Sequence, residues 1–241
     1  MGISISHYGL PILIKESVKM SVYQKSIEEM LQTNMGNYSF NINLFRAFPN
    51  VNDGLKIVAR RVLYGMGEMK LTPGVQHRKV AGVVGKVLAD THPHGDSSVA
   101  DALVKMSQDF YMKVPTVDIS GNNGSISGDE AAAMRYIECR MTKYGNELLG
   151  DLHKNAVNWK PNYDGSQMEP ETLPAKYPNL LINGGFGIGQ AYTSSIPAHN
   201  VNDILDTTIA LIKNPNIPID EIASRLDQII QLVGLLSIIK N

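Results

Sequence analysis

KVAGVVGKVLADTHPHGDSSVADALVKM, residues 79–106, is the stretch on which the fold turns. Its first part, 79–90, sets Val80, Val84, Val87 and Leu88 on one stripe at helical spacing. Lys79 and Lys86 lie seven apart on another face. THPHGD then breaks the helix. Asp96 or Ser97 can cap the next one, SSVADALVKMSQDF, in which Val99, Leu103 and Met106 share a face. Helix, short turn, helix is the sequence form of a helix-turn-helix. Many helical pairs read the same way, so the pattern alone names no function.

Upstream, residues 54–69 (GLKIVARRVLYGMGEM) read as a helix with Lys56, Arg60 and Tyr64 four apart on one face. Residues 15–34, free of proline and glycine, read as a leading helix. Downstream, 114–119 (VPTVDI) suggests a strand, followed by the polar, glycine-rich loop SGNNGSISGDE. AAAMRYIECRMTKYGNELLGDL is expected to be mainly helical. AVNWKPNYDG suggests strands and a turn. LPAKYPNLLINGGFGIGQAYTSSIPAHN is punctuated by proline and glycine, so it should be irregular with one short strand, NLLIN. VNDILDTTIALIK reads as a helix after an Asn200 or Asn202 cap, and PIDEIASRLDQII as another. The expected class is α+β, mainly α.

The chain of 241 residues is 43% hydrophobic and 19% charged, which is a globular composition rather than a disordered one. Its single cysteine, Cys139, excludes a disulfide framework and a Cys-rich zinc site. No run approaches the roughly 20 apolar residues that span a membrane. The opening MGISISHYGLPILIKESVK lacks the form of a signal peptide. A reducing, cytoplasmic setting is the expectation.

The net charge of −1 conceals a division. Residues 46–94 hold eight Lys/Arg (Arg46, Lys56, Arg60, Arg61, Lys70, Arg78, Lys79, Lys86) against three acids (Asp53, Glu68, Asp90), a charge of +5. Residues 95–241 carry −6. A solvated face is the bland reading of such a block, and a patch for a polyanion is the sharper one.

Three local motifs could carry chemistry. NGGFGIGQ resembles a phosphate-binding glycine loop but lacks the Lys-Ser/Thr of a P-loop, so structural glycines are the better reading. HPHGDS offers two histidines and an acid, for a metal or for phosphate contact at a helix start. Arg135-Tyr136 follows three alanines downstream of a glycine loop. A phenol, with an ordinary pKa of about 10, is a weak nucleophile that needs a cationic neighbour or a metal. Arg135 is such a neighbour, although most tyrosines serve packing.

GNYSFNINLFRAFPNVNDGLKIVARRVLYGM, HPHGDSSV, GNNGSISGDEAAAMRY, NYDGS, LPAKYPNLLING and IPAHN occur in one order. Together they resemble the A subunit of bacterial type IIA DNA topoisomerases, DNA gyrase and topoisomerase IV, over about residues 38–213. The resemblance implies a winged-helix DNA-cleavage domain followed by the start of an α/β tower domain. The implied divisions are an N-terminal helical arm at 1–37, the cleavage domain at 38–169 and a partial tower at 170–241. Tyr136 matches the family's cleavage tyrosine, and Arg135 its adjacent arginine. Arg46, Arg61 and His92 match groups that surround the scissile phosphate. Lys56, Arg60, Lys79 and His94 would bind DNA backbone. Ser97 and Asp101 match positions that touch quinolone drugs. Tyr177 stands where an isoleucine or phenylalanine wedges between bases.

The same resemblance implies double-stranded DNA as substrate and a homodimer of A subunits within an A2B2 complex. It implies Mg²⁺ and ATP held by the B-type partner, so that this chain carries no metal site of its own. Departures from the family pattern include Asn52 for arginine, Ala59 for histidine, Ala100 for a usual tyrosine, Ser120 for glutamine and Ser127 for aspartate. The family's chain continues well past the length of this one, which leaves open a non-catalytic DNA- or subunit-binding role as a decoy or remnant.

Overall fold

A computed structural model describes residues 26–226. They fall into two compact units that divide between Asn37 and Tyr38. Helix α1 (Ile27–Ile42) buries none of its residues. The part of the expected leading helix before residue 26 lies outside the described residues, as does the end of PIDEIASRLDQII.

The second unit is built on three helices. They are α2 (Ile57–Glu68), α3 (Val80–Asp90) and α4 (Asp96–Lys105). Val62, Leu63 and Met66 of α2 meet Val80, Val83, Val84 and Val87 of α3 and Val99 and Leu103 of α4 in one core. The α3 stripe is i, i+3, i+4, i+7, and Leu88 sits half-buried at its margin. Gly65 lets α2 approach α3 closely, since a Cβ there would stand 3.0 Å from Cγ2 of Val87. Helix α4 starts at Asp96, one residue earlier than expected, behind Gly95. No side chain caps it in the usual way; Asp96 Oδ1 instead accepts the Ser97 N–H at 2.9 Å.

A three-stranded antiparallel sheet closes one side, in the order β1 (Arg78–Lys79), β3 (Glu138–Met141), β2 (Val117–Ser120). Strand β3 corrects the expected long helix. Ile137, Cys139 and Met141 alternate into the core while Glu138 and Arg140 do not, a period of two that pairs Ile119 with Cys139. Only α5 (Lys143–Leu148) is helical there, and Thr142 caps it by accepting the Gly145 N–H at 3.0 Å.

Strands β4 (Trp159–Pro161) and β5 (Met168–Pro170) pair antiparallel, with Lys160 opposite Glu169. NLLIN is helix α6 (Asn179–Asn183), not a strand. Pro178 precedes it with φ −74°, and Asn179 and Ile182, three apart, face inward. The glycine-rich run after it forms the hairpin β6 (Gly185–Ile188) and β7 (Thr193–Ile196). Helix α7 (Val201–Lys213) is capped by Asn200, and α8 (Ile219–Leu226) follows. Among the described residues no helix is long and apolar enough to cross a membrane. The result is a mixed helix-and-sheet fold.

Candidate active site

One cluster of functional side chains is assembled from three elements. Arg61 extends from α2 toward Glu169 on β5. The guanidinium grips the carboxylate with two nitrogens, Nε to Oε2 at 2.7 Å and Nη2 to Oε1 at 2.6 Å. That fork leaves Nη1, which lies 2.8 Å from Nδ1 of His92 in the loop between α3 and α4. A guanidinium only donates, so Nδ1 accepts and the ring proton sits on Nε2. Burial pushes the His92 pKa down to about 4, aided by Arg61, His94 and Arg46. His92 is therefore a neutral imidazole at neutral pH. His94 meets its ring edge-on, with centroids 4.5 Å apart.

Arg46 lies in a single π-helical turn, Asn43–Ala47, a rare local form that recurs at functional sites. The turn is pinned by buried Asn43, whose amide exchanges bonds of 2.7 and 3.0 Å with the Gln190 backbone in the β6–β7 turn. The Arg46 side chain itself is exposed and has no hydrogen-bond or ion-pair partner among the described residues.

The second cluster surrounds Tyr136. Its backbone turns back on Ala133 at 2.8 Å, and the flanking carbonyls of Met134 and Ile137 accept N–H groups at the start of α3. Ile137 is buried and anchors the segment, which sends Tyr136 outward, 65% exposed. The Arg135 guanidinium lies 4.7 Å from the Tyr136 ring centre. Lys79 pairs with Glu138 at 2.9 Å and reaches the Tyr136 carbonyl at 3.4 Å. No hydrogen bond, ion pair or ring contact among the described residues joins this cluster to Arg61 and His92.

Other expected residues take different places. Arg60, expected at the DNA backbone, is buried in this fold. Its guanidinium donates to Asp53 at 2.6 and 2.9 Å and to the Leu55 carbonyl at 2.9 Å. Asp53, fully buried, also accepts the N–H groups of Leu55 and Leu173. Burying Arg60 satisfies a carboxylate that would otherwise be an uncompensated charge. Tyr177 is likewise turned into the fold, stacked on Tyr144 with centroids 4.2 Å apart and its hydroxyl bonded to the Tyr144 carbonyl at 2.5 Å. Lys56 precedes α2, and burial together with Lys105 lowers its pKa. His94 and Ser97 are exposed. Ser97 and Asp101 line an open cavity of about 500 Å³ between α4 and the 128–137 segment.

Two important acids escape a reading of the sequence alone. Asp53 could be found as a carboxylate inside a basic block. Glu169 carries no comparable signal, because its role depends on the β4–β5 register. Among the described residues no three His, Cys, Asp or Glu side chains converge to hold a metal ion. The first cluster presents cations and an imidazole whose Nδ1 is already engaged, a set that suits phosphate oxygens and does not fit Mg²⁺.

A buried Arg61–Glu169–His92 cluster and a separate exposed Arg135–Tyr136 pair, on a helical core with a small sheet, define the class of site this fold carries. The sequence matches the family model that describes the A subunit of DNA gyrase and topoisomerase IV, over residues 46–228, and the chain belongs to that family. The DNA gyrase A subunit of Staphylococcus epidermidis is 45% identical over 201 residues, 83% of this chain and 22% of that protein. The corresponding gyrase protein of Helicobacter pylori is 46% identical over 84% of this chain and 24% of its own length. That of Staphylococcus aureus is 44% identical over 86% and 23%. The chain thus spans under a quarter of the length of these curated relatives.

Proposed function

We propose that this chain is the DNA-cleaving and rejoining part of a type IIA topoisomerase. In this reading α2–α4 with the β1–β3–β2 sheet form a winged-helix domain over 38–169, preceded by an arm at 1–37, and 170–241 begin a tower. The Tyr136 hydroxyl attacks a DNA phosphodiester. The Oη–P bond forms as the P–O3′ bond breaks, giving a 5′-phosphotyrosyl link and a free 3′-hydroxyl. The phenol proton leaves, and the departing 3′ oxygen takes up a proton. Religation reverses these changes.

Negative charge on the phosphate oxygens is met by Arg135 beside the nucleophile and by Arg46, Arg61 and His92. Lys56, Lys79, His94 and Ser97 hold the backbone around them. Arg60 and Tyr177, which the resemblance placed at the DNA, support the scaffold in the conformation described. Mg²⁺ and ATP belong to a B-type partner within an A2B2 complex acting in the cytoplasm. Membership of the family supports the reading, and one observation carries it. The Tyr136 ring stands exposed beside the Arg135 guanidinium, and its hydroxyl has no partner among the described residues.

The test mixes the chain with a matching B subunit, Mg²⁺ and supercoiled plasmid, then traps with detergent and digests protein. Protein-linked breaks that vanish with Tyr136→Phe support cleavage. Confirmed assembly with the B subunit but no linked DNA overturns it in favour of a binding-only role.

A further inference from the structure

We propose that Glu169 is the positioning residue of the Arg61–His92 pair: it locks the Arg61 fork so that Nη1 donates to His92 Nδ1, which fixes the Nε2–H of His92 as a donor for a phosphate oxygen. This deepens the reading above and rests on it for the identity of the phosphate. The geometry is independent of it. Glu169 occupies the Nε and Nη2 edge of the guanidinium, so the plane and the direction of the remaining nitrogen follow from the carboxylate. Glu169 is itself placed by the β4–β5 pairing and is only 3% exposed, so it cannot drift. Lys160, opposite it in register, adds a second cation 3.9 Å from Oε1.

The ring is only 8% exposed, and its second nitrogen is not matched from within the described residues. His92 Nε2 has no hydrogen-bond partner among the described residues, and it is not among the enclosed polar atoms that lack one. It therefore reaches the surface as an unmatched donor. Without Glu169, a charged guanidinium next to a buried imidazole would turn toward water, and the ring would interconvert between two tautomers. Orienting partners of this kind set the tautomer of a histidine whose other nitrogen does the work.

The test is histidine ring-nitrogen NMR on the full 241-residue chain, with His77 and His199 as internal references. The wild type should show His92 with Nδ1 unprotonated and Nε2 protonated; a ring protonated on Nδ1 overturns the proposal. Glu169→Gln should shift His92 to a tautomer mixture while the references stay fixed. A folded Glu169→Gln chain with His92 unchanged overturns it. Should that variant not fold, Glu169→Asp keeps the charge one methylene shorter; a partial shift of His92 supports the proposal and no shift overturns it.

In the cleavage assay, Glu169→Gln should slow formation of protein-linked DNA by about 10- to 100-fold, the range seen when the partner that orients a metal-ligating histidine is removed. Wild-type rates with a displaced tautomer overturn the positioning role in the reaction. A displaced tautomer where even the wild type links no DNA supports the positioning of His92 and overturns the cleavage reading alone.

Discussion

The two clusters are held in opposite ways. Arg61, Glu169 and His92 form a partly buried lattice in which each polar group but His92 Nε2 is matched from within the chain. Tyr136 and Arg135 stand exposed, with their backbone stitched to α3 and their side chains touching each other. One cluster is preorganised and the other is available. Preorganised donors stabilise a developing charge without reorganising. A nucleophile must instead move through a bond-forming step, and a hydroxyl tied into the fold would have to break that tie first.

The sharpest break of this comparison is Tyr136→Phe. It should abolish protein-linked DNA and leave stability within about 0.5 kcal/mol, because the lost hydroxyl is solvent-facing. A denaturant melt beside the cleavage assay checks both halves. Asp53→Ala should do the reverse. It removes the acceptor of four donors and strands the buried Arg60, at about 3–5 kcal/mol. Since Asp53 touches neither cluster, residual folded protein should still link DNA.

How these networks are concealed in the sequence is instructive. Helices α3 and α4 are legible because their apolar residues recur at helical spacing and the intervening Pro93-His94-Gly95 cannot continue a helix. Strand β3 is not. ECRMTKYG has helix-forming residues, and only pairing with β2 makes its alternate burial of Cys139 and Met141 decisive. The same holds for NLLIN, a strand by composition that Pro178 and the bonds of Asn179 to Asp53 and Tyr144 turn into a helix. Arg60 and Arg61 are the clearest case. Adjacent residues on α2 differ by about 100° in direction, so one turns to Asp53 and the other to Glu169. Nothing in the string ARRV says which arginine goes inside until both carboxylates are placed. Arg135-Tyr136 and the HPHGDS histidines stand out by their chemistry, whereas Arg46 and Arg61, and the role given to each residue, come from the resemblance.

The preorganised cluster should also report itself in pH. His92 titrates near 4 in the fold and near its ordinary 6.5 in the unfolded chain. Its folded pKa is lowered, so the unfolded state binds the proton more readily. The neutral ring's contribution is complete above about pH 6.5 and is lost as pH falls toward 4. Melts from pH 7.5 to 4.5 should therefore lose stability across this window. His92→Asn should flatten that slope, whereas Tyr136→Phe should leave it intact. An unchanged slope in His92→Asn would show that the Arg61–His92 contact does not persist in solution.

The smallest effect separates two cations that the resemblance grouped as backbone contacts. Lys79 is 53% exposed in its pair with Glu138, which is 37% exposed, and such pairs contribute about 0–1 kcal/mol and weaken with salt. Lys79→Met should therefore barely move a melt. Because its ammonium is so weakly engaged, it can exchange Glu138 for a phosphate, and the salt dependence of DNA binding should drop by about one counterion. Arg60→Met should leave that slope unchanged and lower stability by about 3–5 kcal/mol, since it strands Asp53 in the core. If both variants changed the salt slope alike, Arg60 would have to leave Asp53 when DNA binds, and the division between a fixed interior lattice and an available surface would fail at that residue.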